Sequence, residues 1–563
     1  MVERFQPFIR SLVAVLVVCA TPGISAPKPK QSPAAAPKLV VILVVDQMRT
    51  DYITNYGHTW TKGLHRLVNE GAWFTQAAYP YLKTVTCAGH STISTGTYPS
   101  THGMILNAWF DRKSGKMMNC TDDPRVQPVS YGRPMKGMGA SAENLRAPTF
   151  ADLMTSQGPY KKARVVSMSI KARSTITLGG KNADAVTWFE TSKGLWVTSR
   201  AYALNGVPFV QRFIDQNPVE RDFGKVWERS MPPENYKYAD EDSHERPPGW
   251  STTFPHVLKG TGQIDATFFE QWRDSPYADE YLGAMAIDAV ETLKLGQKDR
   301  TDLLTVSFSA LDAVGHDFGP RSHEVQDLLF RLDATVGRLL DMLDQKVGAK
   351  NYVVALSADH GVATIPEHLN AEGTEAGRVN GPDVQKAAEA VLQKHLGPGK
   401  YVARWTYTDL YFEKGIEEKI EANPEIEKEL REAIMAIPGV GWIYCARDLA
   451  GKTNSADRME RAAALSNYPG RSGDWIVVPK ENWYFRASDA TTHGTAHWYD
   501  SHVPVIFYGF GIRAGRYDSA DATPADIAPT LAHLLGFPMN AEGRVRSEAL
   551  QPMGSVATGQ SRK

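Results

Sequence analysis

Cysteine is scarce in this chain, with four in 563 residues, at positions 19, 87, 120 and 445. No two of them have CxxC-type spacing, which argues against a cysteine-ligated metal site. An excess of charge of either sign is also missing: Lys+Arg number 62 and Asp+Glu 63, for a net charge of -1. That balance leaves no reason to expect a nucleic-acid-binding surface, and any positive potential has to be local. Long hydrophobic runs are absent as well. The apolar stretch at residues 12–20 is too short for a membrane span, and no internal repeat is evident. Apolar residues at 42% and charged residues at 22% describe an ordinary globular composition.

The N-terminus reads as a targeting segment. Arg4 and Arg10 precede the apolar run, and small residues follow in "TPGISA", the pattern of a secretory signal peptide over residues 1–26. A lipoprotein cut at Cys19 fits less well, because Val18 stands where a small residue is usual. Residues 27–37 form a Pro/Ala/Lys linker, so folding is expected to begin near Lys38, in the periplasm or outside the cell. The expected catalytic region is 38–550, with a flexible tail at 551–563. An oxidising compartment permits a disulfide among Cys87, Cys120 and Cys445; Cys87 with Cys120 is the favoured pair.

Short β-branched runs end abruptly in polar residues: "KLVVILVVDQM" at Asp46, "DLLTVSFSALDAVGH" at Asp312, "NYVVALSADHG" at Asp359 and His360. A further run, "HVPVIFYGFG", begins at His502. Such runs suit strands buried on both faces of a parallel sheet. Helical stripes lie between them, the strongest running from Val325 to Leu343. The fold expected is α/β: a doubly wound, mostly parallel central sheet with helices on both faces. Residues near 180–265 and 370–480 break the rhythm and read as insertions building a cap or rim. The charge run from Glu417 to Glu432 reads as a solvated helix face.

In open α/β sheets, ligands sit at the carboxyl ends of strands. Asp46, Asp312, Asp359 and His360 all fall there. Each alone could be a helix-capping residue; several carboxylates converging at one edge repel unless cations hold them. Asp312 and His316 are one helical turn apart and can face one ion, and "ATTHGTAHWYD" adds His493 and His497. Mixed carboxylate and imidazole donors suit zinc better than magnesium or calcium, with manganese and iron still open.

These motifs carry a resemblance. "VVDQMRTDYI", "TVTCAGHSTISTGTYPSTHGMILNAWFD", "DAVGHDFGP", "SADHG" and "THGTAHWYDSHVPVIFYG" are similar, in order, to those of the alkaline phosphatase superfamily. The branch resembled holds type I phosphodiesterases/nucleotide pyrophosphatases and PafA-type phosphatases; "YPGRSGDWIVV" is a further segment of that branch. The resemblance implies two zinc ions per chain. One would be held by Asp312, His316 and His493, the other by Asp46, Asp359, His360 and Thr86. It also implies that Thr86, three residues before the Gly89-His90 pair, is the nucleophile, with His90 structural and His497 outside the ligand set. A sulfatase reading fails, since the run from Cys87 lacks the Pro and Arg of C/S-x-P-x-R.

Lys171 and Arg173, in "SMSIKARST", look like the Lys-x-Arg pair with which PafA-type monoesterases contact phosphoryl oxygens, and Asn107 matches a further donor. If extended, the Lys and Arg side chains point the same way. A monoester dianion offers more charged oxygens than a diester, so such donors favour it. The expected protein is a secreted, zinc-dependent phosphatase, monomeric, acting on small phosphate monoesters through a phosphothreonine. The alternatives are a phosphodiesterase/nucleotide pyrophosphatase and, from another class, an inert metal-binding or adhesion protein.

Overall fold

A computed structural model describes residues 36–240, 243–485 and 488–552. The segment read as a signal peptide, nearly all of the linker and most of the tail lie outside the described residues.

The centre is a ten-stranded mixed sheet. Its core is five parallel strands in the order Tyr352–Ser357, Leu39–Val45, Asp302–Phe308, Val165–Ser169 and Ala185–Glu190. Alternation along one strand shows why both faces are apolar. Leu39, Val41, Leu43 and Val45 join one hydrophobic cluster, with Leu64, Leu282, Leu328 and Leu339 of the helices on that side. Val40, Ile42 and Val44 join a second, with Phe150, Ile176, Ile527 and Leu531. A strand that feeds two cores has no polar face to spare, which explains its unbroken aliphatic sequence.

Register then fixes the functional edge. Val44 lies opposite both Ser307 and Ser357, and Ser307 opposite Ser169. The four strands therefore end together. Asp46, Lys171, Ser309 and Asp359 leave the sheet at one edge, and the helix Ala310–Phe318 carries Asp312 and His316 just beyond it.

Three expectations need correction. "HVPVIFYGFG" forms Val505–Gly509, but it pairs antiparallel with both its neighbours; a continuous apolar run reports two-sided burial, not strand direction. The region from 180 is not all cap: Ala185–Glu190 and Leu195–Ser199 extend the central sheet. Phe189 of the first packs inward against Trp272 and Phe269, and Trp196 of the second stacks on Tyr281. Lys171 and Arg173 do not share one extended segment: Lys171, itself extended, is the residue just before the helix Ala172–Gly179, and Arg173 lies in that helix's first turn.

Between residues 377 and 485 the chain builds a separate four-stranded antiparallel sheet. Helices Gly381–Leu396 and Pro424–Met435 cover it over a core of Val384, Leu392, Leu410, Leu430 and Trp475. The acidic run splits into two helices that bury Ile420, Ile426 and Leu430. Glu417 and Glu427 pair with Arg447. Cys87 and Cys120 form a disulfide, while Cys445 is free and buried.

Candidate active site and metal centre

Thr86 is the first residue of the helix Thr86–Thr95, entered from extended backbone at Val85. A helix start presents unpaired N–H groups and the positive end of the helix dipole, a favourable setting for an oxyanion or phosphate. The Gly89-His90 pair has a physical explanation. A Cβ on Gly89 would lie 2.2 Å from the Asp359 carbonyl oxygen and 2.6 Å from its Cα, so only glycine lets this helix rest on the Asp359 backbone. His90 spends both ring nitrogens locally: Nδ1 on the Thr86 carbonyl at 2.9 Å, Nε2 on Ser307 Oγ at 2.8 Å. Its Nδ1 also lies 3.2 Å from Asp359 Oδ2.

Beneath Thr86 the buried acids and imidazoles fall into two groups whose ligand atoms lie within 4.8 Å of one another: Asp46, Asp359 and His360, and Asp312, His360 and His493. His360 Nε2 sits 3.5 Å from Thr86 Oγ1, 3.5 Å from Asp46 Oδ1 and 3.2 Å from Asp359 Oδ2. The His360 and His493 rings stack with centroids 3.4 Å apart. His316 Nε2 approaches Asp312 Oδ1 at 3.3 Å and His493 Nε2 approaches it at 3.6 Å. The sequence-based grouping put His316 rather than His360 with Asp312 and His493. Here His360 bridges the two groups and His316 flanks the second.

Each imidazole is oriented from behind by a backbone carbonyl: His316 Nδ1 by Thr491, His360 Nδ1 by Gly361, His493 Nδ1 by Thr84. Donation from Nδ1 makes Nε2 the lone-pair nitrogen of the neutral ring in all three, the arrangement metal-ligating histidines need. His497 instead turns Nε2 to the Pro479 carbonyl and stays out of the cluster.

The carboxylates respond to this crowding unequally. Burial, then Asp359, pushes Asp46 well above the usual carboxylate range. Burial alone would raise Asp312 and Asp359 too. For Asp312, Lys171 and then His316 outweigh it; for Asp359, His360 and His90 do, and both carboxyls lie well below that range. Against the opposing effect of burial, Asp359 lifts His360 to about 9, while burial and the neighbouring His360 push His493 down.

The donor set fits divalent metal. Asp46 Oδ1 and Asp359 Oδ2 are buried with no hydrogen-bond partner, a costly state that a cation relieves. Lys171 shows that the site holds positive charge: its ammonium bonds Asp46 Oδ2 at 2.6 Å and also Asp312 Oδ2. Carboxylate and imidazole donors in mixed groups match zinc chemistry.

Above this layer is a cavity of about 910 Å³ lined by Thr86, Asn107, Lys171, Arg173, Asp312, His316 and His493, reaching Met135, Met138 and Trp188. Arg173 Nε is buried with no hydrogen-bond partner. Asn107 Oδ1 accepts from the Cys87 N–H at 2.8 Å.

Sequence reasoning missed three contributors. Gln47 donates its backbone N–H to Asp359 Oδ1 at 3.1 Å and its side-chain amide to Asp312 Oδ1 at 2.8 Å, tying the two carboxylates together. It does so from a left-handed backbone at φ 68°, a placement no periodicity reveals. Tyr407, at the tip of the inserted hairpin, hydrogen-bonds the His493 carbonyl and lines the cavity. Lys83, three residues before Thr86, is fully buried and bonds both oxygens of Asp409 in the inserted sheet, at 2.8 and 2.7 Å. A lone lysine in an apolar stretch was the available signal for it.

Comparison with known proteins bears on this arrangement. Residues 40–500 match the family described as type I phosphodiesterase / nucleotide pyrophosphatase. The chain is similar to alkaline phosphatase PafA of Elizabethkingia meningoseptica, 32% identical across 96% of this chain and 98% of that protein. It is also similar to alkaline phosphatase PhoK of a Sphingomonas species, 32% identical across 90% and 89%. The crystal structure of wild-type PafA superposes with a TM-score of 0.84 at 30% identity, covering 92% of this chain and all of that one.

Proposed function

The chain belongs to the type I phosphodiesterase/nucleotide pyrophosphatase family and is a phosphoric ester hydrolase, and from that premise we propose that it cleaves phosphate monoesters through a phosphothreonine on Thr86. One observation carries the reading: the Thr86 hydroxyl shares a single cavity with Asn107, Lys171 and Arg173, directly above two metal-competent groups. Alkaline phosphatase is what the similar proteins PafA and PhoK are named.

In the proposed cycle, Asn107, Lys171 and Arg173 and the N–H groups at the helix start hold the phosphoryl oxygens. Thr86 Oγ attacks phosphorus in line, the P–O bond to the alcohol breaks, and the alcohol departs on the side lined by Asp312, His316 and His493. A water entering from that side then attacks the phosphothreonine, returning Thr86 and releasing phosphate. Zinc ions, one held by Asp46, Asp359, His360 and Thr86 and one by Asp312, His316 and His493, would supply Lewis-acid stabilisation of the attacking and leaving oxygens and make the threonine hydroxyl acidic enough to react. Lys171, bonded to Asp46 and Asp312, is the group whose charge passes between the carboxylates and the phosphoryl oxygens.

A phosphodiesterase is the second reading, and the reach of the cavity toward Met135, Met138 and Trp188 favours it, because a second ester substituent needs apolar room. The two separate on kcat/KM for an aryl phosphate and its methyl diester, before and after Lys171→Ala with Arg173→Ala. A wild type that prefers the diester, or a double variant that keeps its monoester rate, would overturn the monoesterase reading. The inert reading fails if zinc-loaded protein hydrolyses either substrate and Thr86→Ala does not. For residues 1–26 we retain the export-signal reading. The Cys87–Cys120 bond, suited to an oxidising compartment, supports it.

A further inference from the structure

Asn107 has an amide with two unlike ends, a carbonyl that accepts and an NH₂ that donates. Which end meets the substrate decides whether it attracts or repels a phosphoryl oxygen. The Cys87 N–H settles the orientation, because a backbone donor 2.8 Å away requires the Oδ1 end. That leaves the Nδ2 end as the donor on the cavity side. The N–H belongs to the second residue of the Thr86 helix, one of the groups a helix start leaves unpaired.

Asn107 is held from its other side too. The Cys120 N–H donates to the Asn107 backbone carbonyl at 2.9 Å. The two residues that grip Asn107, one at the side chain and one at the main chain, are therefore the two halves of one disulfide. Both are buried, Cys87 at 0% exposure and Cys120 at 1%. The hairpin that follows Asn107, Ala108–Asp111 with Lys116–Asn119, is mostly exposed on its second strand. Buried Trp109 and the Asn144 bond to the Cys120 carbonyl also hold this segment, but only the disulfide joins it covalently to the Thr86 helix.

We infer that the Cys87–Cys120 disulfide is a positioning element for the reaction, clamping Asn107 at a fixed distance from Thr86 with its NH₂ turned to the phosphoryl group. This rests on the monoesterase reading above. Neither sulfur touches substrate; the pair acts through Asn107.

The test is a cycle of four zinc-loaded proteins: wild type, Asn107→Ala, Cys87→Ser with Cys120→Ser, and the triple variant, each assayed on an aryl phosphate and its methyl diester, with bound metal measured. Asn107→Ala is expected to lower monoester kcat/KM by about 10²-fold with a smaller diester effect. Loss of the disulfide is expected to lower the monoester-to-diester ratio by about tenfold at unchanged metal content, and Asn107→Ala should then cost less than it does in wild type. Parallel loss of both activities, or full additivity, would mean a merely structural bond and would overturn the inference. An Asn107→Ala ratio equal to wild type would sink the monoester role of Asn107 itself, and the clamp with it. If the Cys→Ser protein does not fold, dithiothreitol-treated wild type gives the same readout. Reduction confirmed by thiol labelling should lower the ratio and reoxidation restore it; an unmoved ratio in fully reduced protein refutes the clamp.

Discussion

Two places in this molecule bury charge, and they do it in opposite ways. In the inserted sheet, Lys83 and Asp409 are fully enclosed, and the carboxylate is saturated: it accepts from Lys83, from Thr408 Oγ1 at 2.8 Å and from the Gly473 N–H at 2.7 Å. At the edge of the central sheet, Asp46 and Asp312 share Lys171, with Asp359 close by, and the buried Asp46 Oδ1 and Asp359 Oδ2 have no hydrogen-bond partner. A satisfied buried pair has nothing left to bind and serves architecture. An unsatisfied one stores affinity for a cation. Burial alone does not separate them; the count of unused lone pairs does.

Breaking the chemical side should have the largest effect. Thr86→Ala is expected to lower kcat/KM for an aryl phosphate by about 10⁴-fold or more while the fold persists, measured by steady-state kinetics beside metal analysis and circular dichroism. Breaking the architectural side should move stability instead. Lys83→Ala strands a buried Asp409 and should cost about 3–5 kcal/mol in denaturant unfolding, whereas Lys83→Met with Asp409→Leu should recover most of it. Equal costs for the single and double variants would mean the pair is not saturated as described. Next comes Lys171→Ala with Arg173→Ala, expected to slow monoester hydrolysis by about 10²–10³-fold and the diester far less. The smallest change sharpens the contrast inside the site. Gln47→Asn tolerates the left-handed backbone but is too short to reach Asp312, and should reduce metal affinity about 10–100-fold by titration with zinc.

The sheet edge was legible because a strand buried on both faces must be written as an uninterrupted apolar run, so its end is marked by the first polar residue. Asp46, Asp359 and His360 follow their strands by that rule, and Asp312 with His316 adds a helical spacing. Motif resemblance, rather than periodicity, pointed to Thr86, Asn107, Lys171, Arg173 and His493. What stayed hidden depends on contacts between distant segments. Gln47 matters through two hydrogen bonds to residues 265 and 312 positions away. The partner of Lys83 is set by how the insertion docks. The antiparallel course of Val505–Gly509 follows from chain routing, to which side-chain burial is blind. Ala185–Glu190 and Leu195–Ser199 hid among turn-rich neighbours, where aromatic and glycine content resembled a cap.

Gly89 leaves the Thr86 helix and the Asp359 backbone touching with nothing between them. Positions 86 and 89, three residues apart on this helix, thus play different parts. Thr86 lines the cavity from a buried position, with its hydroxyl 3.5 Å from His360 Nε2. Position 89 admits only glycine, since any added carbon drives the Thr86 helix away from the loop bearing the Asp359 carboxylate. Chemistry at position 86 and the seating of the helix at position 89 are therefore separable: a change at the first alters what the cavity holds, a change at the second alters where the helix sits.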